Sequence, residues 1–306
     1  MFSKIIVATD LSNASFAVVN CLGGLISYGA SECLLLQCLG WPEASSLSLS
    51  YTTIAKYLES TLSEQKEILE KQGFKVTTRV VPGSAKREIN RIADEEDYSL
   101  IVVGSTGHSI IGEAFLGGVA YSVIHNARKP VLLIRLEIKR DKKKEYMEAT
   151  RCDFSKHVLF PTDFSENADH AFTYLQKLVS AGANQVTLMH VQDKGRIEPH
   201  LVNRLDEFNN IDRERLEKMK QMLEEKGRAN ISIELCYGSP SREIIRFINE
   251  NNINLVVMGS QGRSFVEELF LGSVSHNVAR HSVASVLLVP ARQKAYKQVN
   301  IQKNKD

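Results

Sequence analysis

The chain has no apolar run approaching the length a membrane span needs. It has no surplus of either charge: 38 basic residues against 36 acidic ones leave a net +2. The first absence argues against a membrane helix, and the second removes the electrostatic reason to expect nucleic acid or an anionic membrane surface as partner. Cysteine is scarce: Cys21, Cys33, Cys38, Cys152 and Cys236, with no C-x2-C pair. That pattern carries no zinc or redox signature and predicts reduced thiols in or near the core. Cys33 and Cys38 share one predicted strand at an odd separation, so they point to opposite faces. Metal-ligand clusters are absent, and so is a signal-peptide shape: Met1-Phe2-Ser3-Lys4-Ile5-Ile6-Val7 runs straight into a strand. The expectation is a cytoplasmic protein.

What is present is ordinary in bulk, 43% hydrophobic and 24% charged over 306 residues, enough for about two domains. It is specific in one place. Leu255-Val256-Val257-Met258 reads as a buried parallel strand closed by Gly259. Gly262 follows, then a nine-residue insert, then Gly272-Ser273 opening a predicted helix over 274–281. Glycine lets backbone N–H groups approach a ligand, and a helix N-terminus favours an anion. Ser273 and Ser275 add hydroxyls. The stretch reads either as a phosphate cradle or as a glycine-punctuated loop with no ligand. It is neither a Walker A loop nor a G-x-G-x-x-G fingerprint. The same stretch occurs earlier: Leu100-Ile101-Val102-Val103, Gly104-Ser105-Thr106-Gly107, the same insert, then Gly117-Gly118-Val119-Ala120. The offset of about 155 residues makes the chain an internal repeat.

Taken in order, each half reads βαβαβαβαβ, which predicts a parallel sheet covered on both faces. The predicted divisions are residues 1–138, a charged and solvated linker at 139–155, residues 156–292, and a polar tail at 293–306. A first helix of about fifteen residues should start at Ser12 or Asn13 and stop near Gly29. Trp41 sits in a variable connection over 40–50. Ser84, Ser165 and Ser239 are expected caps, and Gly227 the stop of a long charged helix over 206–226. The matched apolar runs at 131–134 and 286–289 are sheet edges expected to cover each other. In such sheets ligands bind beyond the carboxyl ends of the strands, where strand order reverses. That would bring Asp163, at the end of one strand, to the cradle beyond another. His190 lies inside a strand and reads as a core histidine.

Pro161-Thr162-Asp163, Leu188-Met189-His190-Val191, Gly238-Ser239-Pro240, Val257-Met258-Gly259-Ser260 and the glycine loop stand in this order. With them both halves resemble the universal stress protein family, over nearly the whole chain. The resemblance implies two Rossmann-like, adenine nucleotide alpha hydrolase-like five-stranded parallel sheets of order 3-2-1-4-5, packed as a pseudo-dimer through strand five. It also implies an adenine nucleotide, ATP or AMP, with Mg²⁺ only through its phosphates. Carried over, Pro161, Thr162 and Asp163 would bind the nucleotide, with Asp163 accepting from the ribose hydroxyls. The Val191 backbone would meet the adenine edge. Met258, Gly259, Gly262, Arg263, Gly272, Ser273, Val274 and Ser275 would surround the phosphates. The matching positions are Ala8, Thr9 and Asp10, then Cys38, then Val103, Gly104, Gly107, His108, Gly117, Gly118, Val119 and Ala120. Gly118 and Ala120 replace the two serines, which predicts a weaker first site. The implied function is a stress sensor or regulator that changes conformation or assembly with nucleotide, homodimeric, acting on an unidentified protein. Two other classes stand beside it. A slow ATPase or nucleotidyl-transferring enzyme lacks H-x-G-H and S-G-G-x-D-S motifs here, and Glu267 and Glu268 read as a solvated face. A nucleotide-free scaffold is the third.

Overall fold

The computed structural model describes residues 1–40, 51–105, 116–141, 144–198, 202–262 and 271–292. In the first half, short apolar runs form β1 (Lys4–Ala8), β2 (Glu32–Leu39), β3 (Lys75–Pro82), β4 (Leu100–Gly104) and β5 (Val131–Ile134). Between them lie α1 (Asn13–Asn20), α2 (Tyr51–Lys71), α3 (Ala85–Glu95) and α4 (Gly118–Asn126). A hairpin, β6 (Leu136–Asp141) and β7 (Lys144–Ala149), joins the halves. The second half repeats the pattern with β8 (His157–Pro161), α5 (Glu166–Ser180), β9 (Gln185–Asp193) and a one-turn α6 (Lys194–Ile197). It continues through α7 (Leu205–Glu224), β10 (Asn230–Gly238), α8 (Pro240–Glu250), β11 (Leu255–Gly259), α9 (Ser273–His281) and β12 (Ser285–Val289).

The strands make one ten-stranded sheet, β10-β9-β8-β11-β12-β5-β4-β1-β2-β3. Each half has the order 3-2-1-4-5 and is parallel within itself. The halves meet through β5 and β12, which pair antiparallel with Leu132 opposite Leu287. The expected edge pairing is therefore present, and it fuses the two sheets into one. Side chains alternate across the pleat, so Ile5 and Val7 enter one core layer and Ile6 the other. One layer packs α1, α2, α5 and α7 against the sheet; the other packs α3, α4, α8 and α9. Cys33 and Cys38 fall on opposite sides, as their spacing requires.

Several expectations need correction. α1 ends at Asn20, and residues Gly23–Tyr28 form a 3-10 helix before Gly29 takes φ 85°. Two successive glycines, each costing a helix about 1 kcal/mol, account for the early stop. The thiols are not all reduced: Cys21 at the end of α1 is disulfide-bonded to Cys152, across 131 residues. β7 lies along α1, and the chain leaving it carries Cys152 to within 5.0 Å, Cα to Cα, of Cys21. The linker region is not purely solvated, because Phe154 is buried and Met147 and Ala149 pack on the core between charged neighbours. Ser12 and Ser165 cap α1 and α5 through their side chains. Ser84 and Ser239 hold the N-cap positions without such a bond. Gly227 is needed for space: a Cβ there would lie 2.5 Å from the Val179 carbonyl oxygen. Trp41 and the tail beyond Arg292 lie outside the described residues.

Candidate functional site

The parallel order places the ends of β8 and β11 side by side at the reversal point of the second half. Past Pro161, the Thr162 N–H still donates to the Met189 carbonyl at 2.8 Å, and its Oγ1 accepts from Phe164 N at 3.0 Å. Phe164 takes a left-handed φ of 57°, and Ser165 N donates to Asp163 Oδ1 at 3.1 Å. This tight turn, locked by the Ser165 cap of α5, fixes the Asp163 carboxylate at the crevice.

From the other side, β11 delivers Met258 and Gly259. A Cβ on Gly259 would meet Asn167 Nδ2 at 2.9 Å, and that amide donates to the Gln261 carbonyl at 2.9 Å. Glycine here lets α5 brace the loop. Gly262 approaches the other side of the crevice as closely, since a Cβ on it would lie 2.9 Å from Asp163 Oδ2. The loop returns with the Gly272 N–H donating to the Ser260 carbonyl at 2.8 Å. α9 then begins with Gly272 as N-cap and no side-chain cap among the described residues, so its first-turn N–H groups open on the crevice. Ser273 is exposed there. Ser275 is buried, and its hydroxyl donates to the Gly259 carbonyl at 2.8 Å, a tie of α9 to β11.

These elements enclose a cavity of about 440 Å³. Pro161, Thr162, Asp163, Val191, Met258, Gly259, Gly262, Gly272, Ser273, Val274 and Ser275 all line it. Arg263 lies outside the described residues. Sequence reasoning missed the opposite wall, where α7 contributes Phe208, Ile211, Asp212 and Arg215. Their spacing of i, i+3, i+4 and i+7 marks one helix face, which was the available signal. β9 and α6 add His190, Gln192, Asp193, Arg196 and Ile197, and Pro240 and Ile244 come from α8. Buried His190 thus borders the crevice as well as the core.

The first half repeats the framework with different polar chemistry. Ala8 precedes buried Thr9, whose hydroxyl donates to Gln65 Oε1 at 2.8 Å, while Gln65 donates on to Ser15 Oγ at 3.1 Å. Asp10 Oδ1 accepts from both the N–H and the hydroxyl of Ser12, at 3.1 and 2.6 Å. Val103 is buried, Gly104 ends β4, and the Gly117 N–H donates to the Ser105 carbonyl at 2.8 Å. α4 also has no side-chain cap among the described residues. Gly118 and Val119 are exposed and Ala120 is buried. Burial pushes the half-buried Cys38 thiol up to about 12, with Glu88 adding to the effect. Gly107 and His108 lie outside the described residues.

A sequence profile of the universal stress protein family matches residues 1–135 and 155–290. The chain is similar to universal stress protein MJ0577 of Methanocaldococcus jannaschii, 30% identical over 153 residues, covering 44% of this chain and 94% of that protein. It is similar to MJ0531 of the same organism, 37% identical over 141 residues, covering 44% of this chain and 83% of that protein. Among solved structures, a universal stress protein from Archaeoglobus fulgidus DSM 4304 superposes with a TM-score of 0.69 at 25% identity. That match covers 95% of this chain and 99% of the other.

Proposed function

The chain belongs to the universal stress protein family, and on that premise we propose that the crevice of its second half binds an adenine nucleotide, ATP or AMP. The observation that carries the reading is the pairing of Gly262 with Asp163: a carboxylate held at the crevice faces a loop position where even a Cβ would sit 2.9 Å from its oxygen. Asp163 is placed to accept from vicinal ribose hydroxyls. The uncapped first turn of α9, with the Ser273 hydroxyl, suits the phosphates. Val191 lies two residues beyond the last β8–β9 pair, so its backbone on that edge is available to a base. Phe208, Ile211 and Ile197 supply an apolar wall for the same base. Mg²⁺ would arrive with the phosphates.

The first half is the weaker site. It has Gly118 in place of Ser273, and Ser12 engages Asp10 twice. Nucleotide in the tighter site stabilises one conformation or assembly, which a protein partner reads in a stress response. The chain works as a homodimer in the cytoplasm, with residues 1–138 and 156–292 as its two domains.

The test is mass spectrometry of ligand released from heat-denatured pure protein, followed by ATP and AMP calorimetry on wild type and Gly262→Val. We expect an adenine nucleotide in the released fraction and binding heat that Gly262→Val abolishes while its fold persists. Wild-type protein that is folded, nucleotide-free and silent to both ligands would overturn the reading. Phosphate release in the same samples separates a binding protein from an ATPase.

A further inference from the structure

His190 is 7% exposed, and each of its ring nitrogens faces an acceptor. Nδ1 lies 2.7 Å from the carbonyl oxygen of Thr162, which has no proton to give, so Nδ1 must donate. Nε2 lies 3.6 Å from Asp212 Oδ2. That oxygen also accepts from Gln192 Nε2 at 3.0 Å, while Asp212 Oδ1 is 3.7 Å from Arg215. The Phe164 ring lies against the imidazole, centroids 4.6 Å apart, and the Arg215 guanidinium sits 5.1 Å from the Phe164 ring. The histidine therefore joins three elements: the turn that holds Asp163, the strand that carries Val191, and the α7 wall of the crevice.

A neutral imidazole has one N–H. With Nδ1 keeping it for the Thr162 carbonyl, Nε2 turns a lone pair toward the Asp212 carboxylate. Only the imidazolium donates in both directions. Among the described residues, the charged groups that border the same crevice are Asp212 and Arg215 from α7, Asp163 past the end of β8, Asp193 at the end of β9 and Arg196 of α6. Its register partner on β10 is apolar Leu235, and Glu166 and Asp169 of α5 are exposed. The matching position of the first half is Gln37, which cannot titrate.

We propose that His190 is a proton-operated positioning residue: charged, it straps α7 to the Thr162–Asp163 turn, and on losing its proton it loosens the α7 wall and weakens nucleotide binding in the second half alone. The proposal rests on the nucleotide reading for its ligand. The strap itself is a property of the protein without ligand.

The experiment follows the full chain by heteronuclear NMR from about pH 5.5 to about pH 8.5, across the ordinary histidine range, and measures ATP affinity at the same points. Expected are Asp212 and Arg215 amides that titrate together with the His190 ring, and an ATP affinity that falls about tenfold through the same interval. The ATP phosphates titrate here too, but equally for every protein, so the strap is read from differences. His190→Gln should bind ATP at the weak end throughout and lose the step. Asp212→Asn should also flatten it, and carries the comparison if His190→Gln does not fold. Flat α7 amides during the His190 titration, or parallel ATP profiles in wild type and variants, would overturn the proposal. Failure of ATP to bind at any pH overturns the nucleotide reading, while the α7 amides still decide the strap.

Discussion

Ser273 and Ser275 stand two residues apart in the first turn of α9 and do different work. Ser275 is 4% exposed and spends its proton on the Gly259 carbonyl, so it belongs to the framework. Ser273 is exposed at the helix N-terminus, where a phosphate would sit. Under the proposed nucleotide reading, Ser273 rather than Ser275 offers the exposed hydroxyl. Ser275→Ala should lower stability by about 1 kcal/mol in denaturant titration and change ATP affinity little. Ser273→Gly should do the reverse, weakening ATP binding by about tenfold or less, since water can replace a hydroxyl. Gly118→Ser is the complementary gain, because among the described residues a Cβ there meets Lys86 Nζ alone, at 4.0 Å. Equal losses of affinity in the two serine variants would show that the hydroxyls are not divided in this way. Asp163 and the glycines were legible in the sequence because their motifs are local. The Ser275 bond was not, because its acceptor is set by how α9 docks on β11.

At the scale of elements, β8, β9 and β10 are joined by a polar rung as well as by backbone pairing. His157 Nε2 lies 2.9 Å from Thr187 Oγ1, which lies 2.9 Å from Ser232 Oγ, while His157 Nδ1 is 3.2 Å from the Asn251 carbonyl. Burial holds His157 below the ordinary imidazole range, against the opposing pull of that carbonyl. Burial lowers His170 and His276 in the same direction. A lowered value means the unfolded chain takes the proton more readily. The stabilising contribution is therefore full above the unfolded value near 6.5 and is lost as pH falls through it toward the folded value. His157→Gln should make the acid limb of unfolding free energy shallower, measured by denaturant titration between about pH 7 and about pH 5. Limbs of equal slope would sink the assignment. The strands here were legible because short stretches rich in apolar residues between turn signals leave few alternatives. The β6–β7 hairpin was not, because Lys139 to Lys144 dominate its composition while Leu136, Met147 and Ala149 supply the inward contacts. Nor was the Cys21–Cys152 pair, since it depends on where that hairpin leaves the chain.

For the whole molecule, the β5–β12 pair decides both shape and coupling. The halves run antiparallel across it, so the carboxyl ends of their strands lie at opposite ends of one sheet. That junction was foreseeable from two matched apolar runs, each of which would otherwise leave an unpaired edge. Both core layers continue across it, and Leu132 and Leu287, opposite each other, are each 2% exposed. Polar bonds flank the pair: the Arg135 N–H donates to Ser285 Oγ, and its guanidinium to the Arg280 carbonyl, both at 3.2 Å. A carboxylate at Leu287 would be buried among apolar side chains, at a cost of several kcal/mol concentrated on the junction. Wild type, with continuous cores and sheet, should unfold in one calorimetric transition. Leu287→Asp should separate it into two, with the disulfide and hairpin still holding the halves in one chain. Any step that nucleotide contributes to the melting should then move only the transition of the second half. A single transition in Leu287→Asp, displaced but no broader than wild type, would mean that the halves are coupled by something other than this strand pair.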